Sequence, residues 1–480
     1  MSYKSQSDLY LEDNISKYPA IELLCKLGYQ YISPEECADQ RGGLYDVILK
    51  DILRAQLHKL NQFTYSGITY KFTAENVERA ISELDEPLTD GLVRTSEKIY
   101  DALMLGKSYP EKLVDGTTKS FNLKYIDWEH PENNAFYVTE EFSCDSWDKQ
   151  KNARPDIVLF VNGIPFAMIE CKAPTVDVDQ AVEQMIRNQG KDYIPQLFKF
   201  AQIVVATNKN AVKYATCGTG KNFWCIWHEQ STEWQNRLLD QYVVGREITE
   251  QDRNIVSLLD PSRLLNLTKY FVLYDANIKK ICRYQQLFAV GEIIKTIQRS
   301  DSAGNRQGGV IWHTQGSGKT ALSYYLTYIL NDFYSKQNKV AKFYFIVDRL
   351  DLLEQATQEF EARGLVVSTA NTRAELMEQF RSNQAQQGTS GQAEITVVNI
   401  QRFAEDKEKV RINDYATNLQ RIFILDEAHR GYKPGGCFLA NLFDADTDSI
   451  KIALTGTPLL KEERASCKVF GTYLHTYYYD

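Results

Sequence analysis

Apolar residues recur at helical spacing through 46–61, 76–88 and 95–106, and strand-like runs follow at 121–128 and 134–144. The stretch 155–172 is then apolar almost throughout, broken only by Asn162-Gly163, and predicts two paired strands. A helical pattern covers 180–198 and a short buried strand 201–208. After residue 280 the pattern changes. Apolar strand runs at 308–314, 342–348, 395–403, 421–429 and 450–458 alternate with helical stretches such as 319–334 and 350–364. Such alternation implies a mainly parallel sheet covered on both faces. Polar, glycine-containing stretches at 299–309 and 381–394 read as loops. The charged segment 245–254 and the turn at 260–263 place a boundary, giving expected domains of 1–260 and 261–480.

Composition narrows the class. With 480 residues, 43% hydrophobic and 12% aromatic, the chain can build two or three real cores. A formal net charge of −8 argues against a general nucleic-acid coat, yet leaves room for a local basic groove. Nine scattered cysteines without a CxxC pair read as reduced thiols. The polar N-terminus lacks a signal-peptide core, and no apolar run approaches the ~18 residues a spanning helix needs. The expectation is a soluble cytoplasmic protein with no membrane partner.

Three motifs carry phosphate chemistry. In 308–325 an apolar strand runs into Thr314-Gln315-Gly316-Ser317-Gly318-Lys319-Thr320 and then a helix. Small residues let backbone N–H groups face phosphate oxygens at a helix N-terminus. Lys319 would reach the β- and γ-phosphates of ATP and Thr320 would ligate Mg²⁺. His313 occupies the place of the first glycine of the usual P-loop pattern and reads as a structural neighbour. A second strand ends in Asp426 and Glu427; Asp426 would hold Mg²⁺, mostly through water, and Glu427 would position the attacking water. A third ends in Thr455-Gly456-Thr457. All three lie at C-terminal strand ends, where open α/β sheets bind ligands.

Together, "TQGSGKT", "DEAH" and "TGTP" resemble motifs I, II and III of superfamily 2 helicases and DNA translocases. That resemblance implies that Gln285, in "CRYQQLFAV", reads adenine, and that Asp348 and Arg349 match a motif touching the nucleic-acid backbone. It also implies that His429 couples the ATP site to the DNA side.

Asp156, Glu170 and Lys172 stand at the ends of the predicted strand pair. Two carboxylates and an amine there suit Mg²⁺-dependent phosphodiester hydrolysis, the acids holding metal and the lysine orienting water or stabilising the transition state. Glu170 and Lys172 share a face, being two apart. A two-residue turn at Asn162-Gly163 pairs 161 with 164 and turns Asp156 away from that face. A three-residue loop, with Gly163 left-handed, pairs 160 with 164 and restores it. The bulged three-residue form is therefore expected.

"RPD" followed by "ECK" resembles the PD-(D/E)xK nuclease motif. With 126–138 and 184–208 it closely resembles the restriction (R) subunit of type I restriction-modification enzymes, over roughly residues 40–475. The implied fold is α/β: an N-terminal PD-(D/E)xK, RecB-like nuclease domain, then a RecA-like parallel-sheet P-loop domain. The implied activity is ATP-dependent cleavage of unmethylated double-stranded DNA together with methyltransferase and specificity subunits. The family's triad falls on Asp156, Glu170 and Lys172. Its Q-x-x-x-Y element fits Gln189 and Tyr193; one turn earlier Gln184 is followed by Asn188 instead of tyrosine. In that family a second RecA-like domain would begin near residue 480, so this chain alone is expected to hydrolyse ATP slowly and not to translocate. The aromatic stretch 473–479 hints at a surface which that further domain covers. Rival readings are a helicase or translocase whose N-terminal domain only binds DNA, and a truncated remnant serving as an assembly module.

Overall fold

In the computed structural model, residues 13–229, 232–300, 306–370, 372–381, 393–399, 418–427, 446, 448–457 and 470–478 are described. The chain divides into two compact units, 1–281 and 282–480.

The first unit is built on a six-stranded sheet. Its strands are β1 (Gln30–Tyr31), β2 (Phe136–Glu140), β3 (Ile157–Val161), β4 (Ile164–Cys171), β5 (Ile203–Thr207) and β6 (Val212–Ala215), adjacent in that order. β3 runs antiparallel to both of its neighbours, β2 and β4, while β4 and β5 are parallel. Every residue of β3, β4 and β5 is buried. Covered on both faces, these strands read as continuous apolar runs instead of alternating. Helix α1 (Val178–Asn188) makes the crossover that the parallel pair needs. It buries Val178, Ala181, Val182 and Met185, and the Asp177 side chain caps it by accepting from Asp179 N. The expected helix over 180–198 is thus two pieces, α1 and a short turn at Pro195–Phe198, with Gly190 between them.

The β3–β4 connection departs from expectation. Val161 pairs with Ile164, so the turn has two residues, and both Asn162 (φ 54°) and Gly163 (φ 84°) are left-handed. The register shifts between Pro165 and Ala167, leaving Phe166 as the extra residue, and beyond it Ile169 pairs with Ile157. The bulge therefore lies inside the strand instead of in the loop. Asn162 explains the tight turn. Its side chain is fully buried, accepting from Ala135 N (2.8 Å) and donating to Tyr125 O (2.9 Å) and Asn134 Oδ1 (2.8 Å). Pro165, which has no N–H, suits the irregular step next to it.

The division after Ile281 falls later than the sequence boundary at 260/261. Helix α2 (Pro261–Phe271) and the hairpin β7 (Val272–Asp275) and β8 (Ile278–Ile281) pack with the first unit. Lys279 shows why. The residue is 1% exposed, and its ammonium donates to Ala201 O (2.8 Å), Gln202 Oε1 (2.8 Å) and Ser96 Oγ (3.2 Å).

The second unit is a seven-stranded parallel sheet. Its strands are β9 (Gly309–His313), β10 (Val340–Val347), β11 (Val366–Ala370), β12 (Glu394–Asn399), β13 (Leu419–Leu425), β14 (Ile450–Thr455) and β15 (Tyr473–Tyr477). Their spatial order is β11-β12-β10-β13-β14-β9-β15. Helices α3 (Tyr284–Ile297), α4 (Lys319–Ser335), α5 (Leu350–Ala362) and α6 (Arg373–Arg381) intervene. Residues 473–477 of the aromatic stretch are thus an edge strand of this sheet, paired with β9. Among the described residues no helix is long and apolar enough to cross a membrane.

Candidate functional site

The bulge at Phe166 brings the acids together. With Ile157 opposite Ile169, Asp156 stands across from Glu170 at the sheet's end. Asp156 Oδ2 accepts the N–H of Cys171 at 2.7 Å, which fixes its carboxylate beside the strand. Lys172 Nζ donates to Glu170 Oε1 (2.9 Å) and to Cys171 O (2.8 Å). Glu170 is fully buried, and its Oε2 makes no hydrogen bond. Burial first, then the neighbouring Asp156 charge, pushes the Glu170 carboxyl up to about 8, with Lys172 opposing.

A buried carboxylate oxygen without a partner, facing a second carboxylate, fits a hard divalent cation. Among the described residues no three His, Cys, Asp or Glu side chains form a metal-binding cluster. Two protein carboxylates suit Mg²⁺, which keeps water and substrate oxygens in its remaining positions.

Gln189 and Tyr193 are not joined to this group. Gln189 ends α1, accepts from Gly218 N (2.7 Å) and donates to Met185 O (3.1 Å). It lines a cavity of about 850 Å³ with Tyr45, Trp147 and Lys199. Tyr193 receives the Lys151 ammonium over its ring at 4.3 Å. Of the alternative pair, Gln184 is half-buried on α1, and Asn188 is buried with Oδ1 lacking a partner.

In the second unit, the strand β9 ends in the loop Thr314–Gly318, where Gly316 (φ 77°) and Gly318 (φ 86°) are left-handed. Lys319 and Thr320 open α4. The hydroxyls of Thr314 and Ser317 are buried without partners, as a loop shaped for an acceptor-rich ligand leaves them. Lys319 Nζ lies 3.3 Å from Glu427 Oε1 and 3.4 Å from His313 O. Gly456 N donates to Glu427 Oε2 at 3.4 Å. A Cβ on Gly456 would sit 3.3 Å from both Gln315 Cγ and Lys319 Nζ, so three strand ends converge there. Burial, then the charge of Glu427, raises the Asp426 carboxyl to about 6, with Lys319 opposing. These acids, the lysine and the helix start fit a nucleotide with its Mg²⁺. Asp348 is buried with Oδ1 unpaired, and Arg349 is engaged by Asp351 at 2.8 Å. His429 lies outside the described residues.

Two residues were missed by the sequence reading. Gln285 is fully buried with both amide atoms unpaired, and it is Gln286 that reaches the phosphate loop, donating to Gly318 O at 3.0 Å. Gln286 Oε1 also accepts from Arg283 N at 2.8 Å, the third-residue position of a capping box. That offset was the available signal. His475 is the second: its Nδ1 lies 2.8 Å from His313 Nε2, and burial takes His313 down to about 3. Nothing in the linear sequence links positions that far apart.

Fold and site define a mixed sheet carrying paired carboxylates and a lysine, followed by a parallel-sheet P-loop ATPase domain. Residues 9–223 match the family described as type I restriction enzyme R protein N terminus, and residues 285–480 match SWI2/SNF2 ATPase. The chain is thus an R-protein N-terminal domain followed by an SWI2/SNF2-type ATPase domain, and its homologues over most of its length are type I restriction endonuclease subunits. The putative MjaIXP endonuclease subunit of Methanocaldococcus jannaschii is 27% identical, covering 97% of this chain and 44% of that one. The HindI endonuclease subunit of Haemophilus influenzae is 26% identical, with the same two coverages of 97% and 44%. The chain therefore spans less than half the length of these relatives. Among solved structures, the SWI2/SNF2 ATPase core of Sulfolobus solfataricus in complex with dsDNA has 19% identity, a TM-score of 0.26, and covers 40% of this chain and 35% of that one. A nuclease-deletion mutant of the Type ISP restriction-modification enzyme LlaGI has 14% identity, a TM-score of 0.29, and covers 41% and 20%.

Proposed function

We propose that this chain supplies the nuclease and an ATP-binding motor domain to the restriction subunit of a type I restriction-modification system. Its substrate is unmethylated double-stranded DNA, and its partners are methyltransferase and specificity subunits. ATP-driven translocation belongs to the full complex, in the cytoplasm. The observation that carries the reading is the unpartnered, buried Oε2 of Glu170 beside Asp156 and Lys172.

Asp156 and Glu170 would hold Mg²⁺. When bound, the metal supplies a water of lowered pKa and positive charge against the scissile phosphate. Lys172, already anchored on Glu170 and on Cys171 O, is placed to orient the attacking water and offset developing charge. In the second unit, the backbone of 314–318 and the start of α4 would cradle phosphate oxygens. With nucleotide bound, Lys319 would turn from Glu427 to the phosphates, Thr320 and Asp426 would hold the nucleotide's Mg²⁺, and Glu427 would be free to orient water.

The test is cleavage of supercoiled plasmid with Mg²⁺, with and without ATP, beside Lys172→Ala and Lys319→Ala. Nicking lost in Lys172→Ala, kept in Lys319→Ala and abolished by chelation is expected. Nicking that survives Lys172→Ala would overturn the nuclease assignment.

A further inference from the structure

A short hairpin leads directly into Asp156. Cys144 and Asp145 pair with Ala153 and Asn152. Its tip is tightly closed. Ser146 N donates to Lys151 O (2.8 Å), Lys149 N to Ser146 O (3.0 Å) and Lys151 N to Ser146 Oγ (3.0 Å). Asp148 Oδ1 accepts from Ser146 Oγ (2.7 Å) and Gln150 N (3.0 Å), so this acid is spent inside the turn. The base is braced as firmly: Arg41 Nη1 donates to Ser143 O (3.1 Å) and Gln196 Nε2 to Asp145 O (2.7 Å). Glu141 N and Phe142 N hold Asp156 O and Pro155 O.

On this rigid turn stands Trp147, 77% exposed. Leaving so large an apolar ring in water forfeits burial that the fold could use. The turn's own hydrogen bonds do not involve the indole. Beyond Asp148, the six residues Lys149-Gln150-Lys151-Asn152-Ala153-Arg154 contain three cations and no acid, in a chain whose net charge is −8. Lys149 has no acidic partner among the described residues. Lys151 lies over the Tyr193 ring, and Arg154 is 3.8 Å from Glu141. Pro155 is buried, while Arg154 beside it is exposed and only two residues before the half-buried Asp156.

We infer that the hairpin 144–153 is a DNA-gripping element of the nuclease, with Trp147 wedging at a base step of the duplex and Lys149, Lys151 and Arg154 holding phosphates beside the scissile one. The inference rests on the nuclease reading and adds positioning residues to it. Cations so placed neutralise backbone charge, and an apolar ring wedged at a base step of the duplex reads no particular sequence. The element therefore grips without sequence preference. Its rigid link to Asp156 converts grip into placement of the phosphate over the two acids.

The test uses the full chain without divalent metal. A short duplex carrying 5-iododeoxyuridine is bound, irradiated, and the adducts mapped by mass spectrometry. Adducts on Trp147 are expected, in the wild type and equally in Lys172→Ala. Trp147→Ala should weaken binding about tenfold. Lys149→Gln/Lys151→Gln/Arg154→Gln should flatten the slope of log affinity against log salt by about 2–3. A purely structural hairpin would leave that slope unmoved. Adducts confined to other peptides, or an unchanged slope, overturn the inference. Failure of the nuclease reading shows separately, as the absence of Lys172-dependent cleavage once Mg²⁺ is added.

Discussion

Lys172 Nζ sits 2.9 Å from Glu170 Oε1, while the other oxygen of that carboxylate is buried without a partner. The pair is thus half-compensated. Burial and Asp156 lift Glu170 from its ordinary 4.5 to about 8. Between those values the folded chain keeps a proton that the unfolded chain has released. This contribution to stability is therefore present at low pH and lost as pH rises through about 8. In chelator, Glu170→Gln should raise the melting temperature at pH 9 and change it little at pH 5. The gain is on the order of 1–3 kcal/mol, limited by what Lys172 already returns. Added Mg²⁺ should stabilise the wild type and leave Glu170→Gln unmoved. A variant less stable than the wild type at pH 9 without metal would refute this.

The turn that opens β4 gives a second expectation. Gly163 has φ 84°, and a Cβ there would meet Leu49 O at 2.6 Å. Gly116 has a similar φ of 82° with nothing within 4 Å. Gly116→Ala should therefore cost about 1–2 kcal/mol, the left-handed penalty alone. Gly163→Ala should cost at least about 2 kcal/mol more, since Leu49 O must also shift. Urea unfolding of the two variants separates the terms, and equal midpoints would show that the close approach carries no weight.

Much of this was legible in the chain. The parallel sheet of the second unit followed from alternating apolar runs and helical stretches, because buried strands and amphipathic helices leave different periods. The residue types at the nuclease end were legible too, since Asp156, Glu170 and Lys172 interrupt otherwise apolar strands. Their register was not. The common face arises from Phe166, an apolar residue inside an apolar run, and no sequence period marks which of such residues is unpaired. Resemblance to a helicase motif picks out Gln285; the contact of its neighbour Gln286 with Gly318 O is a loop-to-helix approach that the linear sequence does not show. The 260/261 boundary failed to register Lys279, whose hydrogen bonds to residues 96, 201 and 202 are long-range.

The glutamine pair can be resolved by binding. Gln286→Ala removes the contact to Gly318 O and should weaken binding of a fluorescent ATP analogue about tenfold, roughly the loss of one hydrogen bond to a loop that must be preorganised. Gln285→Met replaces two unsatisfied buried polar atoms with an apolar chain of similar size. It should leave affinity unchanged and stability equal or higher. The reverse order of effects would mark Gln285 as the contacting residue.

The contact between Lys319 and Glu427, at 3.3 Å, is one that a nucleotide must displace. Glu427→Gln removes the charge that holds the ammonium and should therefore tighten nucleotide binding severalfold. It should also lower hydrolysis below that of the wild type, since the group that orients water is weakened. Lys319→Ala should lose binding outright. Titration of the analogue, beside phosphate release, distinguishes the two roles. Weaker binding in Glu427→Gln would mean that the ion pair organises the loop instead of competing with the ligand.

The division after Ile281 predicts which fragment folds. A fragment of residues 1–281 retains α2, the β7–β8 hairpin and Lys279, whose ammonium satisfies Ala201 O, Gln202 Oε1 and Ser96 Oγ. A fragment of residues 1–260 removes that donor and uncovers side chains that Leu264, Leu265, Leu267 and Phe271 bury against. At about 1.5–3 kcal/mol for each such side chain, the loss approaches the whole stability of an ordinary domain. The longer fragment should therefore melt cooperatively and keep Lys172-dependent nicking, while the shorter should aggregate or melt without a transition. Burial also draws the Lys279 ammonium down from 10.5 to about 8, so the folded longer fragment binds fewer protons than its unfolded state between those values. Its stability should rise with pH across that window through this group. Lys279→Met should flatten that rise, read from melts at pH 8 and pH 10; an unchanged slope would mean that the lysine is not buried in solution.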